Sequence, residues 1–209
     1  MTEKLKSFDK EAWTPKTEIG RKVKAGEISA VEQIFEIGKP IIEPEIVNVL
    51  LPDLEFETLS VNSTQRVTDS GKRNQFRVVI VIGDHKGHVG LGVGKSVEIA
   101  PAIDYATRNA KKNIISIKTG CGSWECKCAV KHSLPQKTDG KEGSTVVTLK
   151  PAPRGLGLAA NHTVRKVLAM AGVKDVWSSV QNGGNLYNTA VATIRALENL
   201  NTTKPPAAS

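Results

Sequence analysis

The sequence predicts an α+β protein of two small domains behind an N-terminal extension. Three observations carry that reading. Residues 56–115 run through three β-rich segments and then one long helical period, a β-β-β-α order. Residues 126–200 mix strand and helix patterns with turn signals of their own. Between them, residues 116–125 form a linker rich in small side chains. A chain of 209 residues suffices for two such domains. Its 39% of apolar residues can build a core, although aromatics reach only 4%.

Taken in order, residues 1–28 are polar and lysine-rich, too poor in apolar side chains to fold alone. Ser29 opens a helix. Glu32 completes a capping box there, and Val31, Ile34 and Phe35 form the apolar side. Pro40, Pro44 and Pro52 break the next stretch into extended pieces, so residues 1–55 read as an extension that wraps a partner. The first strand covers 56–68 and is polar at its start. A polar loop, Asp69 to Gln75, leads to the β-branched central strand Phe76 to Ile82. After the turn Asp84 to His88, Val89 to Lys95 alternates glycine with apolar residues in a third strand. A helix over 97–115 tolerates Pro101 in its first turns. Its predicted buried stripe is Ile99, Ile103, Ala106, Ala110 and Ile114, with Arg108, Lys111 and Lys112 on other faces.

In the second domain, Cys126 to Lys131 and Thr145 to Leu149 read as strands. The loop Pro151 to Gly157 leads to a helix over 159–171 that buries Val164, Val167, Leu168 and Ala171 and stops at Gly172. Val176 to Val180 is a third strand. After the turn Gln181 to Asn185, a last helix over 186–200 buries Leu186, Ala190, Ile194 and Leu197. Residues 201–209 read as a disordered tail, and no internal repeat is visible.

The net charge is +8 and the pI about 9.4. Its distribution matters more than its size. Residues 1–65 hold 8 basic and 12 acidic groups, residues 66–150 hold 15 and 7, and residues 151–209 hold 6 and 2. A basic middle favours a polyanionic partner, of which nucleic acid is the commonest. The plainer alternative is a soluble basic surface. No apolar run approaches the roughly 20 residues of a membrane helix, and Met1 to Lys10 lacks the apolar core of a signal peptide. Three clustered cysteines do not look like a secreted disulfide framework, which points to the cytosol.

Gly90 to Ser96 precedes a helix but is not a phosphate loop. A Walker A motif needs glycine where Val89 stands, and a dinucleotide fingerprint needs a small residue where Lys95 stands. The glycines either admit an RNA phosphate beside Lys95 or let the helix pack closely on its own sheet. Both readings stay open on the sequence. Lys72 and Arg73, flanked by Arg66 and Arg77, make a basic finger suited to phosphate contact, and Lys86 lies in the next turn. The alternative is a solvated loop.

Cys121, Cys126, Cys128 and His132 offer three thiolates and an imidazole, a set that fits one structural zinc. His132 lies six residues beyond Cys126, roughly 20 Å along a straight strand, so it ligates only if the chain bends. Otherwise the thiols pack as small apolar groups. Catalysis has no visible basis. His85, His88, His132 and His162 pair by spacing with no recognisable nucleophile, and no carboxylate pair stands in an apolar pocket sequence.

The run from Gly83 through Lys95, followed by the Pro101 helix, resembles the universal small-subunit ribosomal protein five family. So do Pro151 to Gly157 and Ala171 to Trp177. Gly120 to Cys126 and the stretch Glu43 to Pro52 look like its archaeal branch. The likeness spans about residues 29–200, in order. It implies a double-stranded-RNA-binding-like β-β-β-α domain, residues 56–118, followed by an α/β two-layer domain with a left-handed crossover, residues 119–200. It also implies contact with small-subunit ribosomal RNA near the decoding region and a place lining the path by which messenger RNA enters. Support of decoding accuracy and proteins three, four and eight as neighbours are implied by the same likeness. The RNA contacts expected are Arg66, Lys72, Arg73, Arg77, Lys86, Lys95, Arg108, Lys111, Lys112 and Arg154.

Overall fold

A computed structural model describes residues 3–4, 13–126, 128 and 130–202. The expected β-β-β-α unit is present. Strands β2 (Glu55–Thr68), β3 (Gly71–Gly83) and β4 (His88–Ser96) form an antiparallel meander, and helix α4 (Ile99–Lys112) packs on it. Short strands at the edges, β1 (Glu3–Lys4) and β5 (Ile114–Ser116), complete a five-stranded sheet in the order β1-β2-β3-β4-β5.

The side chains of β3 alternate between two cores. Val78, Ile80 and Ile82 face α4 and the N-terminal segment, and Val79 and Val81 face the second half of the chain. Period-2 alternation of β-branched residues accounts for both faces being apolar at the strand's centre.

The buried face of α4 is the predicted one at Ala106 and Ala110 and differs at its start, where Ala102 takes the place of Ile99. Ile99 is 44% exposed, and the buried line is Ala102, Ala106 and Ala110. Opposite them lie Gly94, Gly92 and Gly90. A Cβ on any of these would stand 2.0–2.4 Å from the helix backbone. The glycine run therefore exists to let α4 lie against β4 at backbone distance. Of the two readings of that run, the helix-packing one holds.

The N-terminal segment packs on its own chain rather than extending away as a wrap. Helices α1 (Glu18–Ala25), α2 (Val31–Ile37) and α3 (Pro44–Leu50) bury Val23, Val31, Ile34, Ile46 and Val47 against β3 and α4. Helix α2 has its N-cap at Ala30, one residue after the predicted Ser29. Ala30 makes no side-chain bond, and the Ser29 N–H donates to Gln33 Oε1 at 3.2 Å in place of the expected box with Glu32. Glu32 instead meets His88 Nε2 at 3.0 Å, while His88 Nδ1 lies 2.6 Å from the buried Asp84. This chain of groups ties α2 to the β3–β4 turn.

The second half is a four-stranded sheet, order β6-β7-β9-β8, with two helices. β6 (Thr138–Glu142), β7 (Thr145–Pro151) and β9 (Val176–Gln181) are antiparallel neighbours. The short β8 (Leu158–Ala159) runs parallel to β9 across a crossover through helix α5 (His162–Met170). Helix α6 (Leu186–Thr202) packs on β6 and β7. Val164, Val167, Leu168, Ala190, Ile194 and Leu197 are buried as expected, but Leu186 is only partly so. β6 and β8 have no counterpart among the predicted strands. The predicted strand over 126–131 is absent from the described residues there, which bend instead. The two halves share one core around Leu59, Val79, Val81, Val89, Leu91, Leu168 and Met170. Gly172, at φ 80, follows α5 where its N–H returns to Ala169, and a Cβ there would strike the His85 carbonyl at 2.0 Å. Of the predicted tail, 201–209, Asn201 and Thr202 instead continue α6, and residues 203–209 lie outside the described residues.

Candidate nucleic-acid interface and metal centre

The β2–β3 hairpin extends beyond the core as a two-stranded arm closed by a turn at Asp69 and Ser70. Its register pairs Asn62 with Arg77, Thr64 with Gln75 and Arg66 with Arg73, and β4 adds Lys95 opposite Arg77. Residues directly opposite in an antiparallel pair share a face. Arg66, Arg73, Arg77 and Lys95 therefore form a basic stripe on one face, the face that carries the second half of the molecule at its other end. Like charges directly opposite one another destabilise a ladder, and this stripe contains two such pairs. Lys72 pairs with Val67 and points to the other face.

The remaining predicted contacts do not join this stripe. Lys86 lies beyond the far end of β3, roughly 45 Å of extended strand from Lys72, and its ammonium pairs with Asp53 at 3.0 Å. The hydrogen bond to Asp53, and then its charge, raise the Lys86 pKa. Arg108 and Lys112 are exposed on α4, across the sheet from the stripe. Lys111 is only 8% exposed, contrary to its expected place on an outer face. Burial holds its pKa below the usual lysine value, with Glu45 opposing. Arg154 is exposed in the loop before β8.

The cysteines and His132 do converge. Gly120 and Ser133 exchange two backbone hydrogen bonds of 2.8 and 2.9 Å, and Gly122 N–H reaches the Leu134 carbonyl at 3.0 Å. These bonds zip the two ends of the segment together and leave its middle as a closed loop. A bend at Val130 then supplies the turn that His132 requires. The ligand atoms of Cys121, Cys126, Cys128 and His132 all lie within 4.8 Å of one another. Cys121 and Cys128 sulfurs are 3.5 Å apart, and His132 Nε2 is 3.1 Å from Cys128 Sγ and 3.7 Å from Cys126 Sγ. Tetrahedral zinc with sulfur at about 2.3 Å and nitrogen at about 2.0 Å needs ligand atoms about 3.5 Å apart. The set can hold a metal ion.

The outer shell of this cluster has no signal in the sequence. His132 Nδ1 bonds to Asp175 Oδ2 at 2.8 Å, both groups being buried. Asp175 Oδ1 accepts from the N–H groups of Gly155 and Gly157 at 3.1 and 2.8 Å. A carboxylate behind a ligating histidine fixes its tautomer and leaves Nε2 free to bind metal. Burial opposes ionisation of Asp175, but the N–H donors and His132 outweigh it and hold the acid below its usual range. The hydrogen bond from Cys128, helped by the Arg154 N–H, brings the Cys126 thiol down to about 6. Burial, with the Cys128 contact, pushes Cys121 up to about 11. Asp175 stands in the run Ala171 to Trp177 as an ordinary acid, and only tertiary structure reveals its task.

The fold and these surfaces define an α+β protein of two packed sheets with a basic β arm and a cysteine–histidine cluster. The family model described as Ribosomal protein S5, N-terminal domain matches residues 54–118, and that described as Ribosomal protein S5, C-terminal domain matches residues 140–209. The chain is 49% identical over 198 residues to Small ribosomal subunit protein uS5 of Methanocaldococcus jannaschii, covering 94% of this chain and 91% of that one. It is 48% identical over 199 residues to the protein of the same name from Staphylothermus marinus, covering 93% of each. The chain belongs to the uS5 family, in its archaeal branch. No helix among the described residues is long and apolar enough to cross a membrane.

Proposed function

We propose that the chain is a structural constituent of the small ribosomal subunit, in the cytoplasm, and that it grips ribosomal RNA with the basic stripe of its β2–β3 arm. The observation that carries this reading is the pair of like-charged contacts, Arg66 with Arg73 and Arg77 with Lys95. Each costs folding energy in isolation and is relieved by phosphate. Lys72 at the tip adds a contact from the other face. Lys86, Arg108, Lys112 and Arg154 act as separate, weaker contacts, and Lys111 is left to a structural role. Residues 56–118 and 119–200 serve as the two working units, flanked by 1–55 and 201–209. The likeness of the 83–95 and 151–157 motifs to the family supports a seat near the decoding region. There the chain helps line the messenger path, supports decoding accuracy and adjoins proteins three, four and eight.

One zinc ion held by Cys121, Cys126, Cys128 and His132 completes the second unit. Three thiolates and an imidazole are a structural donor set, and the Asp175 shell fits it. The ion would supply a cross-link where the described residues of 121–132 form no ladder of their own.

Two measurements test the RNA reading. Sedimentation of a lysate should carry the chain with small subunits rather than in the slow soluble fraction. Filter binding to structured RNA should weaken about a thousandfold between roughly 50 and 200 mM salt if about six phosphates are neutralised. A slope near zero removes the electrostatic grip.

A further inference from the structure

We propose that the crevice where the β2–β3 face meets the start of α6 is a seat for one RNA phosphate, built around Arg77 and Tyr187. The inference rests on the RNA reading of the arm and names a subsite within it. The crevice holds about 320 Å³ and is lined by Ser60, Asn62, Arg77, Val79 and the 184–187 segment. It joins the two halves of the molecule. Among the described residues, no carboxylate lines it.

Arg77 is the reason to expect an anion. Its guanidinium lies over the Tyr187 ring, 5.1 Å from the centroid. That contact holds the cation in place without accepting a hydrogen bond from any of its N–H donors. Nε is fully buried and has no acceptor among the described residues, and Arg77 forms no ion pair with them. Glu57, a carboxylate on the same strand as Ser60 and Asn62, is taken by Lys166 at 3.0 Å. A half-buried, immobilised arginine with unused donors and no counter-charge is an unfinished interaction. Lys95, its neighbour across the ladder, adds a second positive charge. Asn62, its neighbour on the other side, and Ser60 add neutral donors within the same crevice. A tetrahedral oxyanion matches this set, because guanidinium donors, an amide and a hydroxyl can all point at its oxygens. Tyr187 acts as a positioning residue: it holds the guanidinium plane without touching the anion.

This subsite differs from the arm's tip. Residues at the tip have only solvent around them and grip whatever phosphate is near. Arg77 is fixed by both halves of the chain and so selects one phosphate at one place. The geometry also makes RNA binding sensitive to how the two halves are joined.

The test compares the full chain with Arg77→Gln, Arg77→Lys and Tyr187→Leu in filter binding to a transcript of small-subunit ribosomal RNA across a salt series. Arg77→Gln should lower the salt slope by about one and weaken binding about tenfold at low salt. Tyr187→Leu, which keeps every charge, should weaken binding several-fold by releasing the guanidinium. Arg77→Lys should not restore wild-type affinity, since an ammonium lacks the planar donors. Inorganic phosphate alone, titrated in a thermal melt, should raise the midpoint of the wild type and not of Arg77→Gln. Phosphate stabilisation without any change in RNA binding would mean a free-anion site and overturn the RNA assignment. A wild-type salt slope near zero would defeat the RNA reading as a whole. A normal wild-type slope left unchanged in a folded Arg77→Gln, with no phosphate effect, would defeat only this subsite.

Discussion

The β2–β3 arm and the 121–132 segment are both long excursions from a sheet, and they are held in opposite ways. The arm keeps an unbroken ladder from Ser60 opposite Val79 to Thr68 opposite Gly71. On β2 the side chains past Ser60 are all exposed, and on β3 so are those of residues 71–74. Among its described residues the 121–132 segment has no ladder between its zipped ends, and four side chains meet there at one point. In the arm the backbone makes the shape, and the side chains are free to serve a ligand. In the segment the side chains make the shape. Substitution should therefore be cheap for folding in the first and costly in the second.

The largest effect is expected at the cysteines. Cys126→Ser should abolish binding of about one zinc per chain and cost on the order of 3–5 kcal/mol in chemical denaturation, a loss-of-metal effect. Chelator should reproduce it in the wild type. A metal-free chain that folds normally and ignores chelator would show the thiols to be packing groups, and the contrast would collapse.

An intermediate effect is expected at the β3–β4 turn, which has a ladder on both sides but is also clasped by side chains. The hydrogen bond to Asp84 raises the His88 pKa, with Glu32 adding to it against burial. A raised folded-state pKa means the contribution is complete below the ordinary histidine value and is lost as pH rises through the raised one. Wild type should lose stability over that rise, by about 1.5 kcal/mol, the worth of a charged hydrogen bond. His88→Gln should lack the pH-dependent part. Equal pH profiles for the two in thermal melts would show that the clasp carries no charge.

The smallest folding effect belongs to the arm. Lys72→Ala with Arg73→Ala should stay within about 0.5 kcal/mol of wild type while lowering the RNA salt slope by about two. Cooperative loss of folding in that double variant would show that the tip is structural after all.

The sequence reveals elements whose signal is local. β3 announces itself by five consecutive β-branched residues, and the extent of α4 by its apolar period. The buried face of α4 is read correctly at Ala106 and Ala110 and misread only at its start, because Ala102 looks weaker than Ile99. What buries the alanines is the absence of side chains on β4, a pairing that lies outside the helix. β6 escapes notice for the same reason. Its inward positions are Thr138 and Gly140, and Gly140 lies against Ala192 and Ala196 of α6 with no room for a Cβ. At the candidate metal centre the four residues are legible from residue type and proximity. The bend that unites them is not, because the bonds that impose it join Gly120 to Ser133 and His132 to Asp175. The docking of residues 13–54 is likewise long-range, and a polar, proline-broken stretch gives no local sign of it.

That docking bears on the chain's birth. Val23, Ile34 and Ile46 are made first, but the surface that covers them consists of Val78, Ile80 and Ile82 with the helix ending near Ile114. About sixty residues separate Leu54 from Ile114. At roughly 5–20 residues per second, the leading segment waits several seconds, apolar side chains uncovered, for a surface not yet synthesised. Residues 13–54 can therefore reach their native packing only after α4 has been made, so this core closes late in its own synthesis.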